Sequence, residues 1–291
     1  MERSGRRTAA RPATATARSE AGLLTAARAG EAAALTELLE RASGPAYRFS
    51  RGFCRDPHDA EDLVQEVLAT LLRSLATFRG DSSLSTWTYT VTRRACARLR
   101  KRGSRTSSLD ALLETREFAS APADEPAPSA ERRELGAALE NAIAALPLVQ
   151  REVVVMRDVE GLPAAEVGKV LGISERAVKS RLHRARMALR ERLAPFVAPQ
   201  GAASLAQSPS CPDTARLLSR YLEGELSPQV CARMQTHVQS CPACDAHCAA
   251  LRAVLGACRA YGERKLPAQL KRSVRAAIRR YLRDPGGSQV G

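Results

Sequence analysis

Apolar residues recur at helical spacing through most of the chain. Leu63, Val67, Leu71 and Leu75 share one face of a helix in the first third, and Leu266, Leu270, Val274 and Ile278 share one face of a helix near the end. No stretch of any length shows the alternation of a strand, and no segment repeats. The pattern predicts an all-α protein. Two interruptions divide it. Residues 119–130 (ASAPADEPAPSA) are too rich in Pro and Ala to contribute a core, and residues 199–210 (PQGAASLAQSPS) form a second short link. The expected organisation is a basic tail without structure of its own over 1–20, a helical block over 21–105, and a linker over 106–130. A second helical block over 131–196 and a link over 197–210 follow. Next come a cysteine-rich segment over 211–262 and a basic amphipathic helix with its tail over 263–291.

The second block contains a helix-turn-helix signal. Ala164 to Leu171 reads as a short helix, Gly172 permits a sharp turn, Ile173 fills the gap between helices, and Ser174 is placed to cap a helix over 175–190. That second helix carries Arg176, Lys179, Arg181, Arg184, Arg186 and Arg190. The N-terminal half of such a helix enters the major groove, which places Arg176, Lys179 and Ser180 for base or phosphate contact and Arg184 and Arg186 for phosphates.

The first block has two contrasting surfaces. Asp56-Pro57 reads as the start of a helix, with a capping acid and Pro at the first position. Asp59, Asp62 and Glu66 share one helix face, with Glu61 and Gln65 beside it, and no Lys or Arg occurs from Asp56 to Leu72. In a chain of net charge +14 such a patch is expected to meet protein rather than nucleic acid. Downstream come Phe78, a polar loop over 79–86 and Trp87 with Tyr89. Residues 93–105 then hold seven basic residues and no acid, Arg93, Arg94 and Arg98 among them. Aromatics beside a basic helix suit an unstacked base and a single-stranded backbone.

Charge and cysteine usage narrow the class. A pI near 10.0 points to a polyanionic partner. No apolar run is long enough to span a bilayer, and the N-terminus (MERSGRRTAARPATATARSE) lacks the apolar stretch of a secretory signal. A cytoplasmic protein in a reducing compartment is expected, so its eight cysteines imply metal or redox chemistry rather than disulfides. Cys211, His237, Cys241 and Cys244 form a C-x25-H-x3-C-x2-C array. Thiolate and imidazole in sets of four suit zinc and its softer relatives. His237 lies one helical turn before Cys241, Pro242 then takes the chain off that helix, and Cys241-Pro-Ala-Cys244 presents two sulfurs to one ion. Zinc is the default ion, with copper or cadmium open to so thiol-rich a set. Cys231, His247, Cys248 and Cys258 exceed the needs of one tetrahedral site and suggest either a second, looser one or a thiol-rich sensor. Cys54 and Cys96 read as core. A zinc enzyme is disfavoured, because four ligands close the site and no H-E-x-x-H motif occurs.

The segment DAEDLVQEVLATLLRSLATFRGDSSLSTWTYTVTRRACARLRKR resembles region 2 of an extracytoplasmic-function sigma factor of bacterial RNA polymerase. ALPLVQREVVVMRDVEGLPAAEVGKVLGISERAVKSRLHRARMALRERL resembles region 4 of the same family. With the linker the likeness covers about residues 21–196. It implies two helical sigma domains, with Asp59, Glu61, Asp62, Gln65 and Glu66 docking on the clamp helices of the polymerase core. The loop at 79–86 and the adjoining basic helix would open and read the minus-ten promoter element, and the helix-turn-helix would read the minus-thirty-five element. YLEGELSPQVCARMQTHVQSCPAC resembles a zinc-binding anti-sigma domain, normally on a separate protein. Its fusion behind the sigma regions is similar to the CorE-type metal-responsive sigma factors. The resemblance implies a non-enzymatic transcription initiator, controlled by metal within its own chain, without a membrane and without a separate anti-sigma factor. The ion is expected to activate, since a tail without it would be unordered. A redox sensor that loses zinc when Cys241 or Cys244 oxidises, and a metalloregulatory repressor acting without polymerase, are the other readings.

Overall fold

The computed structural model describes residues 18–54, 57–78, 80, 82–103, 129–197, 208–264 and 266–283. These form twelve α-helices and one π-helical turn, with no strand among the described residues. The first block comprises α1 (Glu20–Arg28), α2 (Ala32–Arg51), α3 (Pro57–Ser74) and α4 (Leu84–Gly103). The second comprises α5 (Ala130–Ala144), α6 (Leu148–Val154), the π turn Val155–Val159, α7 (Ala164–Leu171) and α8 (Glu175–Val197). The tail comprises α9 (Thr214–Leu222), α10 (Pro228–Ser240), α11 (Pro242–Gly262) and α12 (Ala268–Arg283). The expected 1–20 tail and the two linkers fall mostly outside the described residues, as do Asp56, Arg79 and Asp81.

In α3 the apolar positions repeat every three or four residues, and Ala60, Leu63, Val64, Val67, Leu68 and Leu71 are all buried. They pack with α2 and α4 around Phe49, which stacks on Phe53 at 4.3 Å and meets Tyr89 edge-on at 5.4 Å. Tyr89 has no exposed surface, so it is a core residue and cannot stack on a base. Trp87 is half-buried, edge-on to Phe78 at 6.1 Å. The expected loop over 79–86 is shorter than its polar composition implied, because α4 begins at Leu84, which is buried.

The helix-turn-helix folds as its sequence requires. Gly172 sits at φ 68°, a left-handed conformation costly for any residue with a Cβ, and Ser174 Oγ accepts from Ala177 N at 3.2 Å. Helix α8 extends beyond the expected end near Arg190, because Leu189 and Leu193 continue its buried face.

The tail does not stand apart. Helix α11 packs along α8, and Val254 and Cys258 join the main core. At Gly262 a Cβ would lie 2.2 Å from the Val159 carbonyl, so only glycine lets the end of α11 approach the π turn so closely. Helix α12 then crosses to the first block, burying Leu270, Val274 and Ile278 against α2 and α3. A second, small core of Ala215, Leu218, Met234, Cys248, Leu251 and Leu255 holds α9, α10 and α11 together, and Met187 of α8 packs against it. The two helical blocks also touch directly. Ser83 and Thr86 donate their hydroxyls to Glu166 of α7, Arg93 Nε reaches Glu152 at 2.8 Å, and Arg48 grips Glu160.

A candidate metal centre and the surfaces it adjoins

Three pieces of the tail converge on one point. Cys211 precedes α9, whose N-terminus is capped by Asp213 at 3.0 Å from Arg216 N. His237 lies in the last turn of α10, which ends at Ser240. Cys241 is extended, at φ −122° and ψ 102°, and Pro242 starts α11 at the one helical position where a missing N–H costs nothing. That break turns Cys241 and Cys244 toward the same side. The ligand atoms of Cys211, His237, Cys241 and Cys244 all lie within 4.8 Å of one another. Cys211 Sγ is 3.8 Å from Cys241 Sγ, and His237 Nε2 is 3.2 Å from Cys244 Sγ. Tetrahedral zinc with Zn–S near 2.3 Å and Zn–N near 2.0 Å would set edges of about 3.8 Å and 3.5 Å. The donor set therefore fits a tetrahedral ion. A backbone hydrogen bond from Cys244 draws the pKa of Cys241 below the usual thiol value, favouring the thiolate that an ion needs.

The further candidates do not join this set. Cys231 is half-exposed on α10, and His247 lies along α11. Cys248 is buried in the tail's small core, and Cys258 is fully buried in the main core, which pushes its thiol pKa up. Cys248 shares a face of α11 with Cys244 but lies one turn further along, in the small core, and Cys258 lies further still, in the main core, so distance along the helix separates both from the set. Cys54 and Cys96 are core residues as expected.

Along α8, Arg176, Ser180 and Arg184 are exposed, and Arg184 Nη2 donates to Ser180 Oγ at 3.1 Å. Arg181 is half-buried, and Lys179 pairs with Glu175 at 2.9 Å. Arg186 departs from expectation. It is 3% exposed, so it cannot reach a phosphate in this arrangement. Its Nη2 lies 2.6 Å from Asp158 and 2.9 Å from Glu223, and its Nη1 donates to the Ser219 carbonyl at 3.2 Å. Arg157 adds a second guanidinium on Glu223 at 3.2 Å. Glu223 closes α9, so the tail holds region-4-like helices through a buried charge network of two cations and two anions. Nothing in the spacing of Asp158, Arg186 and Glu223 marked them beforehand. Beside this seam His183 has both ring nitrogens buried without a hydrogen-bond partner, and burial followed by the Arg216 charge lowers its pKa.

In the first block Asp59, Asp62, Gln65 and Glu66 are exposed on one face of α3, with Glu61 half-buried. Arg94 and Arg98 are exposed on α4, and Arg98 pairs with Glu66. No helix among the described residues is long and apolar enough to cross a membrane.

Residues 38–106 match the family described as Sigma-70 region 2, and residues 136–189 match Sigma-70, region 4. Residues 211–244 match the family described as "Putative zinc-finger". The ECF RNA polymerase sigma factor SigM of Mycobacterium tuberculosis is 33% identical over 175 residues, which covers 59% of this chain and 83% of that protein. The RNA polymerase sigma-H factor of Pseudomonas aeruginosa is 32% identical over 151 residues, or 50% of this chain and 78% of that protein. Among solved structures, the sigma factor RpoE of Bartonella quintana, in complex with the anti-sigma factor NepR, is 27% identical. It covers 52% of this chain and 91% of that chain, with a TM-score of 0.44. Two sigma regions in the family's order, on helices that the sequence patterning required, settle the assignment: the chain belongs to the extracytoplasmic-function sigma factors of RNA polymerase.

Proposed function

We propose that this sigma factor is controlled within its own chain by an ion held at Cys211, His237, Cys241 and Cys244. In this reading α3 docks on the clamp helices of core polymerase through Asp59, Glu61, Asp62, Gln65 and Glu66. Arg93, Arg94, Arg98 and Trp87 face the opened minus-ten element. Ser174, Arg176, Lys179, Ser180, Arg181 and Arg184 meet the minus-thirty-five duplex. Zinc is the default ion, and cadmium or copper compete for the thiolates. In this reading no separate anti-sigma factor is needed, because the tail packs on both sigma blocks of its own chain.

The observation that carries the control is the Glu223 network. The ion would fix Cys211 to α10 and α11, and Cys211 leads directly into α9, whose far end holds Arg186 and Arg157. The four donors are already gathered while the tail is docked on α8. The docked arrangement therefore binds the ion with little reorganisation, and a ligand favours the state it fits better. This supports the ion holding the closed, silent form, the reverse of the sign expected from the sequence. The contacts of Ser83, Thr86 and Arg93 with Glu166 and Glu152 support the same view, because they occupy promoter-facing side chains. The role of the ion is to bring three tail segments together; every contact with the sigma helices is made by protein.

Run-off transcription with purified core polymerase tests the reading. Chelation should raise transcription by the full-length chain. Cys241→Ser and a variant ending after Gln200 should both transcribe without regard to metal. If the variant ending after Gln200 still responds to metal, the tail is not the sensor. A second reading rests on the 3.8 Å between the Cys211 and Cys241 sulfurs. A two-electron oxidant such as peroxide would take one electron from each thiolate, with two protons from solvent turning the peroxide into two waters, join the sulfurs as a disulfide and so release the ion. Peroxide that activates transcription while added zinc leaves it unchanged selects this redox form.

A further inference from the structure

Helix α12 has not been accounted for by metal control or by either sigma region. Its residues Ala268–Arg283 include Lys271, Arg272, Arg275, Arg279, Arg280 and Arg283 and no acid, six positive charges in a chain whose net charge is +14. At about 100° per residue, Arg272, Arg279, Arg280 and Arg283 fall within an arc of about 100°, opposite the arc of Leu270, Val274 and Ile278. The apolar arc is fully used, since those three residues are at most 3% exposed against α2 and α3. The four arginines are exposed, and among the described residues none of them has a carboxylate partner. Arg275 pairs with Glu40 at 3.0 Å. Ala276, Arg279, Arg280 and Arg283 line a shallow depression.

The division of faces narrows the partner. A basic amphipathic helix that binds a membrane inserts its apolar face, and here that face is buried in protein. Docking does not need the charge either, since one exposed pair serves it. What remains is a row of guanidinium groups spaced along a rigid helix, on the block whose α4 also carries Arg94 and Arg98 to the surface. Guanidinium groups bind phosphate oxygens bidentately, and duplex DNA presents such a row.

We propose that the outer face of α12 is a sequence-independent binding surface for the phosphate backbone of duplex DNA. It would raise the affinity of the chain for DNA without choosing the promoter, and it is independent of the ion's role in the tail.

Fluorescence anisotropy on the full-length chain tests it, with a promoter duplex and a scrambled duplex titrated across a range of salt. Each phosphate neutralised contributes about 0.9 to the slope of log affinity against log salt. The fourfold variant Arg272→Gln, Arg279→Gln, Arg280→Gln, Arg283→Gln should lower that slope by about 2 to 4 on both duplexes and leave their affinity ratio unchanged. The matching fourfold Lys variant should keep most of the slope. Because all four side chains are exposed, thermal unfolding should be unaltered, and a far-UV spectrum confirms the helix. An unchanged slope in the Gln variant overturns the proposal. So does a variant that keeps its DNA slope and instead loses binding to vesicles of mixed zwitterionic and anionic lipid. A loss confined to the promoter duplex overturns it as well, since that would make α12 a reader of sequence.

Discussion

Where the tail meets region 4, the buried side chains include Arg186, Asp158 and Glu223; where it meets region 2, they are Leu270, Val274 and Ile278. The first seam adds a directional ionic network to the apolar packing of α11 along α8, and each charge in that network depends on the others for its solvation. The second is hydrocarbon, and its strength follows area more than geometry. A charged seam tolerates little misalignment and can be tripped by one altered group. An apolar seam yields gradually. The candidate ligand set lies at the opposite end of α9 from the charged seam, so a displacement at the set would reach the seam through α9.

Removing Arg186 should be the most damaging single change. Arg186→Met would leave Asp158 and Glu223 facing each other without their shared cation, and loss of one side of a buried pair costs about 3–5 kcal/mol. Urea unfolding of the full chain measures it. A midpoint close to wild type would show that the seam is held by α11 packing alone. Leu270→Ala tests the other seam. A buried leucine cut to alanine costs about 2–3 kcal/mol where the site can partly collapse. Here the loss should appear as faster amide exchange in α12 and leave α8 and α9 protected. Equal loosening of both seams would show that they open together.

Acid should sharpen the contrast. His183 is lowered by burial and by the Arg216 charge, with Arg186 and Arg220 acting the same way and Asp213 opposing them. A depressed histidine is neutral in the docked form and takes up a proton on release. Its contribution is therefore intact above the unfolded pKa, near 6.5, and is lost as pH falls below that value. Tail release, followed by exchange in α9, should begin below about pH 6.5 and be blunted in His183→Gln. The smallest effect should come from Arg275→Gln. Its pair with Glu40 is exposed on both sides, and such pairs are worth about 0.2–1 kcal/mol.

Much of the molecule could be read before its structure. The helix-turn-helix was legible because its signals are local: Gly172 and Ser174 act within a few residues of themselves. The gathering of Cys211, His237, Cys241 and Cys244 was legible because metal chemistry demands particular atoms, whatever the fold. Arg186 was misplaced because helix periodicity reports a face without naming what covers it. Its partners lie 28 and 37 residues away, and nothing local distinguishes it from Arg184. Cys248 and Cys258 were overextended as ligands because a thiol serves equally well as a small apolar side chain. Tyr89 was drawn toward the DNA by its basic neighbours, although it lies beside buried Thr88 and one turn before buried Thr92, inside the block. The apolar arc of α12 was visible from Leu270, Val274 and Ile278, while its landing place on region 2 depends on contacts far along the chain.

The crossing of α12 back to the first block has one more consequence. Regions 2 and 4 are gripped by one tail at two places, which makes the tail a bivalent ligand for its own chain. When one grip lets go, the other keeps the freed surface nearby, at an effective concentration on the order of millimolar for a short tether. Rebinding is then a local event that an external competitor must outpace. A signal that opens a single grip produces a partly open protein poised to close. Full release needs both grips to fail, or a third body, such as polymerase or DNA, to arrive while one of them is open.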